Sequence, residues 1–188
     1  MTKESSIDKQ IINLRNMYIK EKEKGEVEIP LENISMWGFS MKLPVGLIEM
    51  NEEIKKVIFP MYMRPTIVKI DENKKCRFTF SKIIIDEESG ENNLLEKIYK
   101  TFNECGKQII VYDKDVLQAV NVEIGWVEYK MLCLDGSLYG ITYIFFTKTE
   151  CIIGGFQCEF SLYDKWKFVI IELLKHIKVM EGDIGIYG

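Results

Sequence analysis

The sequence predicts an α+β fold in which a mainly antiparallel β-sheet is flanked by helices. The chain has 188 residues, of which 47% are hydrophobic and 12% aromatic, enough for a packed core. Residues 108–159 read as consecutive strands joined by short turns, the pattern of an antiparallel sheet. The segments 94–102 and 163–179 carry apolar stripes at helical spacing, and such stripes need another layer to cover them.

The chain divides into three parts. Residues 1–25 are predicted as an N-terminal helical appendage, because an apolar stripe recurs at helical spacing and Gly25 can end the helix. Residues 34–180 are predicted as a single α+β domain, and residues 181–188 as a Gly-rich tail. The appendage could dock on its own domain or supply a surface to a partner, and a homo-oligomer formed through it is one alternative. Its stripe consists of Ile7, Ile11, Leu14 and Tyr18.

The first half of the domain mixes strands with two helices. Asn51 is predicted to cap a short helix over 51–58. Alternation places Cys76, Phe78 and Phe80 on one face of a strand. Further strands are predicted at 37–44 and 66–70, and a second helix at 94–102.

The second half is dominated by strands and closes with a helix. Asp135-Gly136 is a strong hairpin signal between the strands 121–134 and 138–146. Gly154-Gly155, inside the strand 151–160, indicates either a bulge or a close backbone approach. The closing helix, 163–179, is predicted to be capped by Ser161 or Asp164.

Composition excludes several kinds of function. A net charge of -4 does not suit a general nucleic-acid binder, which needs a basic surface. The single histidine, His176, is predicted at the surface of the closing helix, and we predict neither a metal site nor a cofactor. The five cysteines form no paired motif and are expected to be small buried thiols. Short apolar runs predict no membrane span and, with no signal-like segment near residue 1, a cytoplasmic location.

One segment carries more apolar side chains than a loop requires. Met61, Tyr62, Met63 and Arg64 lie between two prolines, where an extended loop is expected. Tyr, Met and Arg are enriched in binding interfaces, so these four residues are the candidate protein-binding site. The alternative is that the loop folds over the end of the sheet and buries its methionines.

Two stretches of the sequence resemble a known family. The run Trp37–Pro44 is similar to the opening strand of the PsbP-like α/β/α sandwich superfamily. The segment Gly154–Phe160, followed by Trp166 and a helix ending near Ile177, is similar to its final strand and helix. The resemblance covers about residues 35–180. It implies a sheet with helices on both sides, an accessory or binding role, and no shared active site, so no functional residues are transferred.

The sequence favours a non-enzymatic protein-binding module, a chaperone or adaptor. The alternative is a small-ligand binder or an enzyme with a pocket between sheet and helix. A deep pocket in which Arg64, Arg77 and Glu123 converge would favour that alternative, whereas a shallow apolar groove would favour the binding module.

Overall fold

The structure is a computed structural model that describes residues 29–59, 64–84, 91–148 and 150–180. The described residues form three helices, α1 (Glu52–Ile58), α2 (Glu91–Glu104) and α3 (Tyr163–Lys175). They also form ten strands: β1 (Leu31–Met36), β2 (Phe39–Pro44), β3 (Ile48–Glu49), β4 (Ile67–Ile70), β5 (Cys76–Ile84), β6 (Ile109–Gln118), β7 (Glu123–Cys133), β8 (Gly136–Phe146), β9 (Glu150–Glu159) and β10 (Lys178–Val179). The predicted N-terminal helix of residues 1–25, the tail of residues 181–188, and Met61, Tyr62 and Met63 lie outside the described residues.

Seven strands form the main sheet, in the order β3-β4-β5-β9-β8-β7-β6. Every neighbouring pair in this sheet is antiparallel, as the sequence predicts. The hairpin at Asp135-Gly136 is confirmed, since β7 pairs with β8 up to Cys133 opposite Gly136. The fold is therefore α+β with a mainly antiparallel sheet.

A second sheet of three strands, β1-β2-β10, corrects two sequence predictions. Trp37 and Gly38 do not extend the strand at 39–44, because both have positive φ, 46° and 74°, and turn the chain from β1 into β2. The closing helix ends at Lys175 rather than at residue 179. Beyond it, Lys178 and Val179 pair with β2 as strand β10.

The helix caps agree with the sequence at one of two positions. Asn51 caps α1 as predicted, because its Oδ1 accepts a hydrogen bond from the Ile54 N–H at 2.9 Å. Neither Ser161 nor Asp164 caps α3, so that prediction is wrong. A 3-10 turn, Phe160–Leu162, runs directly into α3 instead, and the Tyr163 N–H donates to the Phe160 carbonyl.

One face of the main sheet, here called the closed face, is covered by α3 and the three-stranded sheet. The Phe39 ring of β2 lies 4.9 Å from that of Phe145, and the Trp166 ring of α3 lies 5.1 Å from that of Phe156. The central side chains of this face are fully buried and form the core. They include Phe78, Phe80, Tyr139, Ile141, Phe145, Ile152 and Phe156.

Strand β9 contains Gly154 because the backbone there lies close to a side chain of the neighbouring strand. Its register with β5 and with β8 is unbroken, so there is no bulge. A Cβ at Gly154 would lie 2.1 Å from the Tyr143 ring. Of the two interpretations of Gly154-Gly155, the close approach is therefore correct at Gly154.

The opposite face of the main sheet, here called the open face, is covered by described residues at its two sides. On one side α2 packs on β6 and β7, and the Phe102 ring lies 4.8 Å from that of Tyr129. On the other side α1 lies beside β4, where Lys55 Nζ donates to the Thr66 carbonyl at 2.8 Å. Among the described residues, none covers the strip of sheet between α1 and α2, and this strip forms a groove.

Candidate functional site

The groove of the open face encloses about 440 Å³. Its walls are the end of α1 with Phe59 and Pro65 on one side, and Phe102 of α2 on the other. Its floor consists of side chains from the central strands, most of them apolar or small. The polar members of the floor are Arg77, Thr79, Ser81, Tyr129, Thr142 and Gln157.

Strand register brings four residues of the floor into one row. Tyr129 of β7 lies opposite Gly140 of β8, Gly140 opposite Gln157 of β9, and Gln157 opposite Arg77 of β5. A Cβ at Gly140 would lie 2.4 Å from the Tyr129 ring. Glycine at this position therefore lets the Tyr129 ring cross β8 and reach Gln157.

Hydrogen bonds connect the row into one network. Gln157 Nε2 donates to Tyr129 Oη at 2.8 Å, and Arg77 Nε donates to Gln157 Oε1 at 2.7 Å. The Gln157 amide is thus fixed on both of its polar atoms. Burial raises the pKa of the Tyr129 phenol, which stays protonated at neutral pH.

Of the described residues that line the groove, Arg77 is the only cation. It is partly buried, and its guanidinium lies over the Phe59 ring at 5.3 Å. Burial lowers the pKa of Arg77, yet a guanidinium keeps its charge at neutral pH. Among the described residues, none of the ion pairs recorded for the chain involves Arg77.

Helix α1 extends the apolar surface beyond the groove. Ile54, Val57 and Ile58 are spaced i, i+3 and i+4 and are 43%, 87% and 45% exposed. These three residues, the α1 stripe, meet the groove at Ile58, which lines it. The open face thus carries a continuous apolar surface that runs from the floor of the sheet onto a helix.

The structure describes one of the four residues of the predicted site. Arg64 is partly buried, and it is absent from the groove lining. Its Nε is buried and has no hydrogen-bond partner among the described residues. Met61, Tyr62 and Met63 lie outside the described residues, although Phe59 and Pro65, on either side of them in the chain, both line the groove.

The charged residues of the enzyme alternative do not converge. Arg77 lines the groove, whereas Glu123 lines a separate hollow beside Leu95 and Val116. Sequence reasoning missed Tyr129 and Gln157. A polar Gln within an apolar strand was the available signal, because a buried amide needs partners.

Other candidate chemistry lies away from the groove. The His176 ring is exposed at the end of α3, with Nδ1 2.8 Å from the Glu172 carbonyl oxygen. Cys76, Cys151 and Cys158 are buried as expected, whereas Cys105 and Cys133 are exposed, so the prediction of five buried thiols is wrong for those two. In the described ranges, no cluster of three His, Cys, Asp or Glu side chains could hold a metal ion. None of the helices in those ranges is long and apolar enough to span a bilayer.

Comparison with known proteins identifies the fold. No protein-family model and no curated protein matches the sequence. The solution structure of cyanobacterial PsbP from Synechocystis sp. PCC 6803 is similar, with a TM-score of 0.62 at 15% identity, covering 82% of this chain and 96% of that one. A protein of unknown function from Pseudomonas aeruginosa has a TM-score of 0.48 at 5% identity, covering 77% and 94%. A Bacteroides thetaiotaomicron protein has a TM-score of 0.49 at 9% identity, covering 77% and 46%. The chain therefore has a PsbP-like fold.

Proposed function

We propose that this chain is a non-enzymatic protein-binding module, a chaperone or adaptor of the cytoplasm. An apolar segment of a partner protein lies along the groove and the α1 stripe. The role is binding alone, without a chemical change in the partner.

The observation that carries this proposal is the exposed α1 stripe. A helix of a soluble domain ordinarily turns its apolar side toward the core. Here Ile54, Val57 and Ile58 lie outside the core and are continuous with the groove. Contiguous exposed apolar surface next to a groove is typical of protein-interaction sites.

The groove itself supports a binding role over an enzymatic one. Its lining holds a guanidinium, an amide, hydroxyl groups and a phenol whose pKa is raised by burial. None of these groups takes up or releases a proton near neutral pH, as a general acid or base would. A small-ligand pocket would also have no use for an apolar stripe outside the cavity.

The segment Met61–Arg64 belongs to the same proposal. In the chain it lies between two residues of the groove wall, Phe59 and Pro65. Met and Tyr side chains adapt to apolar partners. We propose that Met61, Tyr62, Met63 and Arg64 add to the binding surface at the wall formed by α1.

The test is capture of partners from the native host with matched surface variants. Val57→Asp places a charge in the α1 stripe, and Val120→Asp places the same charge at an exposed position between β6 and β7. The free energy of unfolding of both variants should lie within about 0.5 kcal/mol of the wild-type value, because both side chains are exposed. The proposal expects proteins captured by the wild type and by Val120→Asp to be lost with Val57→Asp.

The result that contradicts the proposal is equally specific. If mass spectrometry identifies the same proteins with Val57→Asp as with the wild type, the α1 stripe does not bind them. The proposed site is then wrong.

A further inference from the structure

Arg77 holds a positive charge in a mainly apolar groove, and the described part of the chain places no negative charge there to balance it. Its side chain is partly buried, and the described residues that line the groove include no Asp or Glu. Removing a charge from water is unfavourable unless it is paired and hydrogen-bonded. The groove therefore favours a ligand that brings an anionic group to Arg77.

The surroundings of Arg77 fix its guanidinium. Nε is occupied by Gln157 Oε1, and the plane lies over the Phe59 ring. Gln157 is held in turn by Tyr129. Two Nη nitrogens with four N–H groups remain, and among the described residues no acceptor is recorded for them.

We infer that Arg77 binds a carboxylate on the apolar segment that occupies the groove. The inference rests on the proposed function and names the chemistry of the partner: an apolar stretch of polypeptide with one Asp or Glu side chain. The carboxylate accepts hydrogen bonds from the Nη groups, and the neighbouring apolar side chains lie on the groove walls and on the α1 stripe.

A carboxylate fits the charge of the groove better than a phosphate does. A phosphorylated residue carries nearly two negative charges and three strong acceptor oxygens. Sites that recognise it use clusters of Arg side chains. In the ranges that the structure describes, the groove lining offers a single cation, which balances the single charge of a carboxylate.

The experiment uses the full-length chain and peptides of 12 residues selected on it from a random displayed library. The best peptide is synthesised in three forms: with its acidic residue, with the matching amide (Asp→Asn or Glu→Gln), and with phosphoserine at that position. Affinities are measured by fluorescence anisotropy against the wild type, Arg77→Gln, Gln157→Glu, Val57→Asp and the control Lys178→Gln. Lys178 is exposed on β10, so its replacement removes the same charge far from the groove.

The wild type and Lys178→Gln should bind the acidic peptide about 10- to 100-fold more tightly than the amide peptide. Arg77→Gln should bind both peptides equally. Gln157→Glu gives Arg77 a carboxylate of its own and should remove the same preference. The Tyr129 hydroxyl can donate to the new side chain, so this second variant should keep its fold.

Three results would overturn the assignment of Arg77. The amide peptide binds the wild type as tightly as the acidic one, or Arg77→Gln keeps the preference, or the phosphoserine peptide binds more than about tenfold tighter than the acidic one. If peptide binding is lost with Val57→Asp but is unchanged by Arg77→Gln, the proposed function stands and this inference fails. If no selected peptide needs Val57, the proposed function itself fails.

Discussion

The two faces of the main sheet are built from the same strands and differ in what covers them. On the closed face, Phe78, Phe80 and Phe156 meet α3 and the three-stranded sheet, and their side chains are excluded from water. On the open face, Arg77 and Gln157 alternate with those residues along the same strands and line a groove. A covering layer turns one face into a core, whereas on the other face the described residues leave a groove between α1 and α2.

A tyrosine ring lies over a glycine on each face, and the two tyrosines differ in the hydrogen bonding of their hydroxyl groups. Tyr143 crosses Gly154 on the closed face, and its hydroxyl is buried and has no hydrogen-bond partner within the described ranges. Tyr129 crosses Gly140 on the open face, and its hydroxyl accepts from Gln157. Burial raises the pKa of both phenols. A tyrosine ring that crosses a glycine thus fills space on the closed face, and on the open face it fixes a polar network.

The largest expected effect is a loss of stability when a phenylalanine of the closed face is replaced, compared with one of the open face. Phe145→Ala on the closed face should lower the free energy of unfolding by about 3–5 kcal/mol, because it leaves a cavity in a packed core. Phe102→Ala on the open face should cost less than about 2 kcal/mol, because its half-buried ring borders an open groove. Urea unfolding measures both. Equal losses would show that the two faces are packed alike.

The next effect concerns a buried ion pair on the closed face. Lys167 Nζ lies 2.8 Å from Glu128 Oε2, and the Glu128 side chain is buried. Lys167→Met should cost about 2–3 kcal/mol at pH 7, because it leaves a buried carboxylate unpaired. The control, Lys82→Met, removes a more exposed partner of Glu150 and should cost less than about 1 kcal/mol. Urea unfolding at pH 7 measures both losses, and a loss with Lys167→Met no larger than with Lys82→Met would contradict the prediction.

The pH dependence of that pair has a definite sign. Burial raises the pKa of Glu128 above its ordinary value in spite of Lys167. Protonation of Glu128 therefore favours the folded state, and this contribution is present below about pH 4.3 and lost as the pH rises through the raised pKa. Without Lys167 the pKa should rise further. The destabilisation by Lys167→Met should then shrink as the pH falls toward 4, and a constant difference would refute this account.

The smallest expected effect is a difference in reactivity between exposed and buried cysteine thiols. It is measured by thiol titration and involves no substitution. Cys105 and Cys133 are exposed and should react quickly with DTNB, whereas the three buried thiols should react only after unfolding. Burial on the closed face raises the pKa of Cys76 to about 12, so its thiolate is scarce. Cys76 and Cys158 lie on the closed face, and Cys151 lies on the side of β9 that carries Gln157. Fast reaction of Cys76 or Cys158 in the folded chain would mean that the closed face opens in solution.

Much of the fold was predictable because its signals are local. The alternation of Cys76, Phe78 and Phe80 identifies the inward side of β5 without any knowledge of its neighbours. Asp135-Gly136 identifies the hairpin because its turn favours residues that accept positive φ. The end of α3 was not predictable in this way, because Lys178 and Val179 become a strand only by pairing with β2.

The candidate site was predictable only in part. The sequence predicted a binding site at Met61–Arg64, in the connection that follows α1. The neighbours of this segment, Phe59 and Pro65, line the groove. Arg64 does not line it, and the charged residue that does, Arg77, is 13 positions further along the chain. Distance along the chain says nothing about which side chains share a face until the strands are paired.

By itself, the sequence determined the class of fold from the order of its predicted strands and helices. It also determined the hairpin and the side of β5 that faces the core, since each of these follows from the residues of one short segment. Only the tertiary structure decided that Tyr129, Gly140, Gln157 and Arg77 form one row. Arg77 and Gln157 are 80 residues apart, and their contact exists because β5 pairs with β9 in one register. A shift of that register by one residue would turn one of the two side chains to the opposite face of the sheet, and the network would be lost.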